Sequence, residues 1–108
     1  MKPIPKKVTI LGLEVKITHK IPENLSDEDR EDVENSSGVY FPHRDLIWLN
    51  KSYDLAYQWR TLYHEIVHVV MTRNGLRYSG TIDPKIEEII AETCGMVFFE
   101  LNQKLGKI

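Results

Sequence analysis

Tyr63-His64-Glu65-Ile66-Val67-His68 is the stretch on which the reading of this chain turns. It carries an H-E-x-x-H pattern inside a segment of helical periodicity. Cβ positions at i and i+4 stand one above the other on a helix, so His64 and His68 face the same way. Two neutral imidazoles so placed can share one tetrahedral Zn²⁺ at about 2.0–2.1 Å each. Glu65, one residue on from His64, projects about 100° further round the helix. That sets it beside a metal rather than on it, where a general base acting on water belongs. With four His in 108 residues, and Glu at ten positions, chance yields about 0.013 copies of the pattern. The competing interpretation, a helix with two unrelated histidines, therefore carries less weight.

Outward from the motif, Leu55, Trp59, Leu62, Ile66 and Val69 fall at alternating spacings of four and three, with Val70 beside them four residues after Ile66, the core stripe of a long helix. Tyr57, Thr61, His64 and His68 form another stripe, with His64 about 200° from Ile66. The helix is expected to pack on one side and present its histidines on the other. Ser52 or Asp54 can cap its start, and Asn74-Gly75 ends it. Leu76 to Thr81 reads as a loop. Asp83-Pro84 then supplies an N-cap and a first-turn proline for a second helix running to about Leu105. Ile86, Ile90, Val97 and Leu101 mark its main apolar side.

A catalytic zinc site takes three protein ligands and keeps one position open. Glu87, Glu88 and Glu92 lie on the closing helix, and Asp83 precedes it. Glu88, Ala91, Glu92 and Gly95 make one stripe at i, i+3, i+4 and i+7. Gly95 costs roughly 1 kcal/mol against Ala within a helix, so its presence points to close backbone approach to the histidine face. Glu88 is the favoured third ligand. Glu92 then suits the acceptor of a ligand histidine's other ring N–H. Two alternatives stay open: Glu92 as ligand with Glu88 in support, and an acidic helix face with no metal contact. Cys94 points away from this stripe and reads as a core thiol. Tyr63, Arg77, Tyr78 and His43 are candidate oxyanion donors among which the sequence does not choose, and Tyr63 also reads as core.

The first half of the chain is strand-like. Val8 to Ile17 reads as two short strands around Gly12, with Leu13, Val15 and Ile17 alternating against Glu14, Lys16 and Thr18. His19, at the strand end, reads as a surface residue. Residues 22–37 are polar and acidic; Ser26 can cap a helical turn from Asp27 to Val33, and the spacing and central Gly of a calcium loop are missing. Gly38-Val-Tyr-Phe41 and Leu46-Ile-Trp-Leu49 read as strands joined by a turn at Pro42-His-Arg-Asp45, with His43 exposed at its tip.

A length of 108 residues with 42% hydrophobic content suits one domain, residues 1–108, with its own core. A net charge of −2 provides no footprint for polyanions over the whole chain. Five lysines lie in residues 1–20 against Glu14, and seven acids in residues 21–35 against Arg30. A solvated strand face followed by an acidic connector is the simpler account, and nucleic acid is not expected as a partner. A single cysteine excludes an intrachain disulfide framework and accords with a reducing compartment. No apolar run reaches the ~18 residues of a membrane span, and the N-terminus is not a signal peptide, so a cytoplasmic location without membrane association is expected.

Between Gly38 and about Glu100 the chain resembles minimal zincin-type metallopeptidases of the ImmA/IrrE family, which include small proteins encoded by phages and mobile elements. The resemblance rests on Leu46-Ile-Trp-Leu-Asn50, on Gln58-Trp-Arg-Thr-Leu-Tyr-His-Glu-Ile-Val-His68 and on Glu88-Ile-Ile-Ala91. It implies an α+β fold, a small twisted sheet of about four short strands packed on the H-E-x-x-H helix and a C-terminal helix. It also implies zinc held by His64, His68 and Glu88, with Glu65 activating water. The implied activity is zinc-dependent cleavage of a peptide bond in a protein partner, often a helix-turn-helix repressor. Where the family often has Asn after the Ala, this chain has Glu92. The rival expectation is a non-catalytic zinc-containing module that binds a protein without cutting it.

Overall fold

The computed structural model describes residues 1–76 and 82–108. Among the described residues the elements run β1 (Lys7–Ile10), β2 (Leu13–Thr18), α1 (Asp27–Glu34), β3 (Gly38–Phe41), β4 (Leu46–Leu49), α2 (Leu55–Arg73) and α3 (Pro84–Lys104), with a 3-10 turn at Pro42–Arg44. The fold is α+β, as expected.

β1 and β2 form an antiparallel hairpin closed by Leu11 and Gly12, with φ of 51° and 79°. Two consecutive positive φ values are the mark of a primed two-residue turn, whose twist matches that of the strands. β3 and β4 pair antiparallel across the Pro42–Arg44 turn, and Asp45 takes the left-handed conformation at its exit. The two hairpins join through β2 and β4, which run parallel with Ile17 opposite Ile47, so the order is β1-β2-β4-β3. β3 is thereby left on an edge.

β4 reads as a continuous apolar run because both its faces are covered. Ile47 and Leu49 pack with Val15, Ile17, Leu62 and Val69 beneath α2. Trp48 faces the other way, among Leu25, Val33 and Phe41 below α1. α1 starts at Ser26, whose hydroxyl accepts the Asp29 amide. Asp54 caps α2 by accepting the Tyr57 amide at 2.8 Å. The Trp59 indole donates to the Lys2 carbonyl at 2.8 Å, which ties the N-terminal segment across the helix. Trp59, Leu62 and Val69 lie in the core with Leu55, Ile66 and Val70 packed against it, as the periodicity of α2 required.

The apolar side assigned to α3 from its sequence is not the side it buries. Ile86, Val97 and Leu101 are each at least half exposed, whereas Ala91, Gly95 and Glu87 are buried. The cause is the distance between the two helices. A Cβ built on Gly95 would stand 2.9 Å from the Cα and the N of His64. Helices that approach this closely must meet through their smallest residues, so Ile86, Val97 and Leu101 turn away, while Ile90 stays partly buried against Val67, Met71 and Ala91. No described helix is long and apolar enough to cross a membrane.

Candidate metal centre

The Gly95 contact brings the carboxylates of α3 over the histidine face of α2. His64 and His68 place their Nε2 atoms 3.2 Å apart, one helical turn apart in sequence. Glu88 straddles them, with Oε2 3.2 Å from His64 Nε2 and Oε1 2.8 Å from His68 Nε2. The other ring nitrogens are also held. His64 Nδ1 lies 2.9 Å from Glu92 Oε2, and His68 Nδ1 lies 2.5 Å from Glu87 Oε2.

An ionised carboxylate only accepts, so in the tautomer where each Nδ1–H donates to its glutamate each Nε2 keeps a lone pair turned toward its neighbour and toward Glu88. In that tautomer no donor lies among the three groups and a cation would join them, whereas a ring proton on either Nε2 would donate to Glu88. The separations of 2.8–3.2 Å are close to the roughly 3.3 Å edge of a tetrahedron whose ligands sit about 2.0–2.1 Å from a central zinc. Two imidazoles and a carboxylate fit that ion in both number and type.

Glu65 is buried, and one of its carboxylate oxygens lies within 4.8 Å of a ring nitrogen on each of His64 and His68. Those three groups alone make a compact cluster. Glu88 is the nearer carboxylate and the one that spans both rings, while its side chain remains 62% exposed at the mouth of the site. Glu65 therefore lies beside the convergence point and Glu88 closes it.

Glu92 is itself clamped, because Arg60 Nη2 donates to Glu92 Oε1 at 2.7 Å. The Arg60 hydrogen bond, helped by His64 and opposed by partial burial, holds the Glu92 carboxyl below the usual carboxylate range. A lowered carboxyl pKa stabilises the fold above the unfolded value of about 4.3, and that contribution is lost as pH falls through the lowered value. An Arg60→Gln chain is expected to raise the Glu92 pKa, read by carboxyl NMR titration, and to weaken zinc binding about tenfold by releasing the His64 ring. An unmoved Glu92 titration would remove Arg60 from this relay.

The sequence places Glu87 on the closing helix but assigns it no role. Its carboxylate is buried against His68, and the signal for it was present: Glu87, Ala91 and Gly95 stand at i, i+4 and i+8, along the ridge that meets α2. Among the candidate oxyanion donors, His43 is exposed and lines the cleft in front of the cluster. Tyr63 packs against the core and stacks on Trp59, and burial pushes its phenol up. Arg77 and Tyr78 lie outside the described residues. His19 is exposed and bonds Gln58 at 2.7 Å, and Cys94 is partly buried beside Val67 and Met71. The cleft holds about 900 Å³ and runs from His64, Glu65 and Glu88 along β3 to Tyr57.

Fold and site together define a small zincin-like α+β domain with paired histidines on its central helix. The family pattern of the IrrE N-terminal-like domain, Peptidase_M78, matches residues 22–96, and the chain belongs to that peptidase family. The match covers every residue of the cluster, while β1, β2 and the last turns of α3 lie beyond it. No curated protein and no solved structure matches the chain.

Proposed function

We propose that this protein is a zinc-dependent endopeptidase that cuts a protein partner, with helix-turn-helix regulators as the first substrate class to test. His64 and His68 hold the metal through Nε2 and Glu88 through a carboxylate oxygen. The observation that carries the reading is the convergence of the two Nε2 atoms and the Glu88 carboxylate within 2.8–3.2 Å of one another. Zinc held there supplies Lewis acidity, bringing the pKa of water toward ~7 and polarising a scissile carbonyl.

The chain's own groups do the rest. Glu65 accepts the proton of the attacking water and returns it to the leaving nitrogen. Glu92 and Glu87 keep the two rings in the tautomer that leaves Nε2 available. The edge of β3 lines the cleft, where an extended substrate segment can add to the sheet. His43 stands at that cleft as an oxyanion donor.

The rival, a zinc module that binds without cutting, calls for a closed site with a fourth protein ligand. The test is cleavage of purified helix-turn-helix regulators, abolished by a chelator and restored by zinc. Glu88→Ala is expected to weaken zinc by more than the ~10–100-fold that loss of a supporting carboxylate such as Glu87 produces. Equal losses in Glu88→Ala and Glu87→Ala, read by chelator competition, would withdraw Glu88 as a ligand. Chelator-resistant cleavage would withdraw the mechanism.

A further inference from the structure

Tyr53 and Tyr57 are 41% and 40% exposed, yet their rings are braced. The two stack with centroids 4.8 Å apart and planes inclined by 18°, and the Arg60 guanidinium lies 5.7 Å from the centre of the Tyr57 ring. Arg60 is held in turn by Glu92, which bonds His64. The pair is therefore an aromatic ledge tied to the metal centre, and both residues line the cleft.

We propose that this ledge is a substrate subsite for a large apolar side chain, aromatic or aliphatic, on the C-terminal side of the scissile bond. The assignment rests on the peptidase reading above and adds to it the class of side chain selected. Its distance from the metal centre comes from the helix. Tyr57 stands on the stripe of Thr61, His64 and His68, seven residues before His64. At 1.5 Å per residue the ledge lies about 10–14 Å from the paired histidines. That is roughly three to four residues of extended chain at about 3.3 Å each. The floor between is small and tightly packed. Thr61 is buried and bonds Ser37, and a Cβ on Gly38 would stand 2.6 Å from Thr61 Cγ2. A substrate backbone can lie along such a floor, with the tyrosines at its end.

Direction comes from β3. Gly38 packs on Thr61, whereas Asp45, which follows the turn after β3, meets Arg73 at the end of α2 at 2.6 Å. β3 thus runs the same way as α2. A segment added antiparallel to it, the more stable pairing per residue, runs the other way and brings its C-terminal part to the ledge. Stacked tyrosines offer wide, rigid apolar contact at little cost in side-chain entropy. An anionic side chain would have to compete with Glu92 for Arg60.

The test is digestion of a library of unstructured synthetic peptides by the zinc-loaded protein, with the cut sites read by mass spectrometry. Phe, Tyr, Leu, Ile or Met is expected at the third or fourth residue after the cut. For such a peptide, Tyr57→Ala should raise KM about tenfold or more with kcat little changed. The matching peptide with Ala at that position should lose less than about twofold, and zinc affinity, read by chelator competition, should not move. Tyr57→Phe keeps the ring and should select as wild type does. Tyr53→Ala should lose the same selectivity, and it repeats the test if Tyr57→Ala impairs folding. A profile flat at those positions, or a preference that both alanine variants leave intact, would overturn the subsite while the peptidase reading stands. Zinc-loaded wild type that cuts neither the library nor any helix-turn-helix regulator would instead remove the peptidase reading, and the subsite with it.

Discussion

Glu65→Gln protein loaded with zinc is expected to hold the metal as tightly as wild type and to cleave about 10²–10⁴-fold more slowly, the range that loss of a general base costs. The substitution keeps the side chain's volume and one oxygen, so the packing around this buried position should survive. It removes the one property the proposed mechanism needs, a carboxylate able to take a proton. His64, His68 and Glu88 form the nearer cluster, with contacts of 2.8–3.2 Å, and the substitution touches none of them. The expected signature is therefore a split: chelator competition unchanged, cleavage collapsed. Full activity in Glu65→Gln would take the residue out of the mechanism. Loss of zinc in the same variant would instead make Glu65 a ligand, a possibility that its place within 4.8 Å of both rings makes concrete.

What the sequence revealed was local, and what it hid depended on contacts between distant segments. The H-E-x-x-H spacing, the Asp54 cap, the Asp83-Pro84 restart and the hairpin at Gly12 are each set within a few residues, and each recurs in the structure. Gly95 was legible for a different reason: a glycine inside a helix carries a cost that only a close neighbour explains. The parallel pairing of residues 16–18 with 46–48 has no such local mark. It follows from the need to cover both faces of β4 at once. The orientation of α3 is not legible in its amphipathic pattern, which points to burial of the large residues. Here the tight crossing over His64 selects the small ones, and Glu87 goes with them into the contact.

That crossing makes Gly95→Ala the sharpest test of the architecture. At an ordinary helix position, Gly to Ala stabilises by about 1 kcal/mol through propensity alone. Here the added methyl meets His64 Cα and N at 2.9 Å and the Tyr63 carbonyl carbon at 3.2 Å. These are backbone atoms of a packed helix, and they cannot rotate aside as the tip of a side chain could. The helices must separate, and overpacking of this kind costs about 1–3 kcal/mol, occasionally more. The net result is expected to be destabilising by up to about 2 kcal/mol, a fall in Tm of as much as roughly 15 °C for a domain of this size. The same displacement lifts Glu87, Glu88 and Glu92 away from the imidazoles they meet, so zinc affinity should fall by a factor of ten or more. The sign of the Tm change in metal-free protein decides the matter. A rise of the size that helix propensity predicts would mean that α2 and α3 do not meet through Gly95, and the carboxylates of α3 would then have no fixed route to His64 and His68.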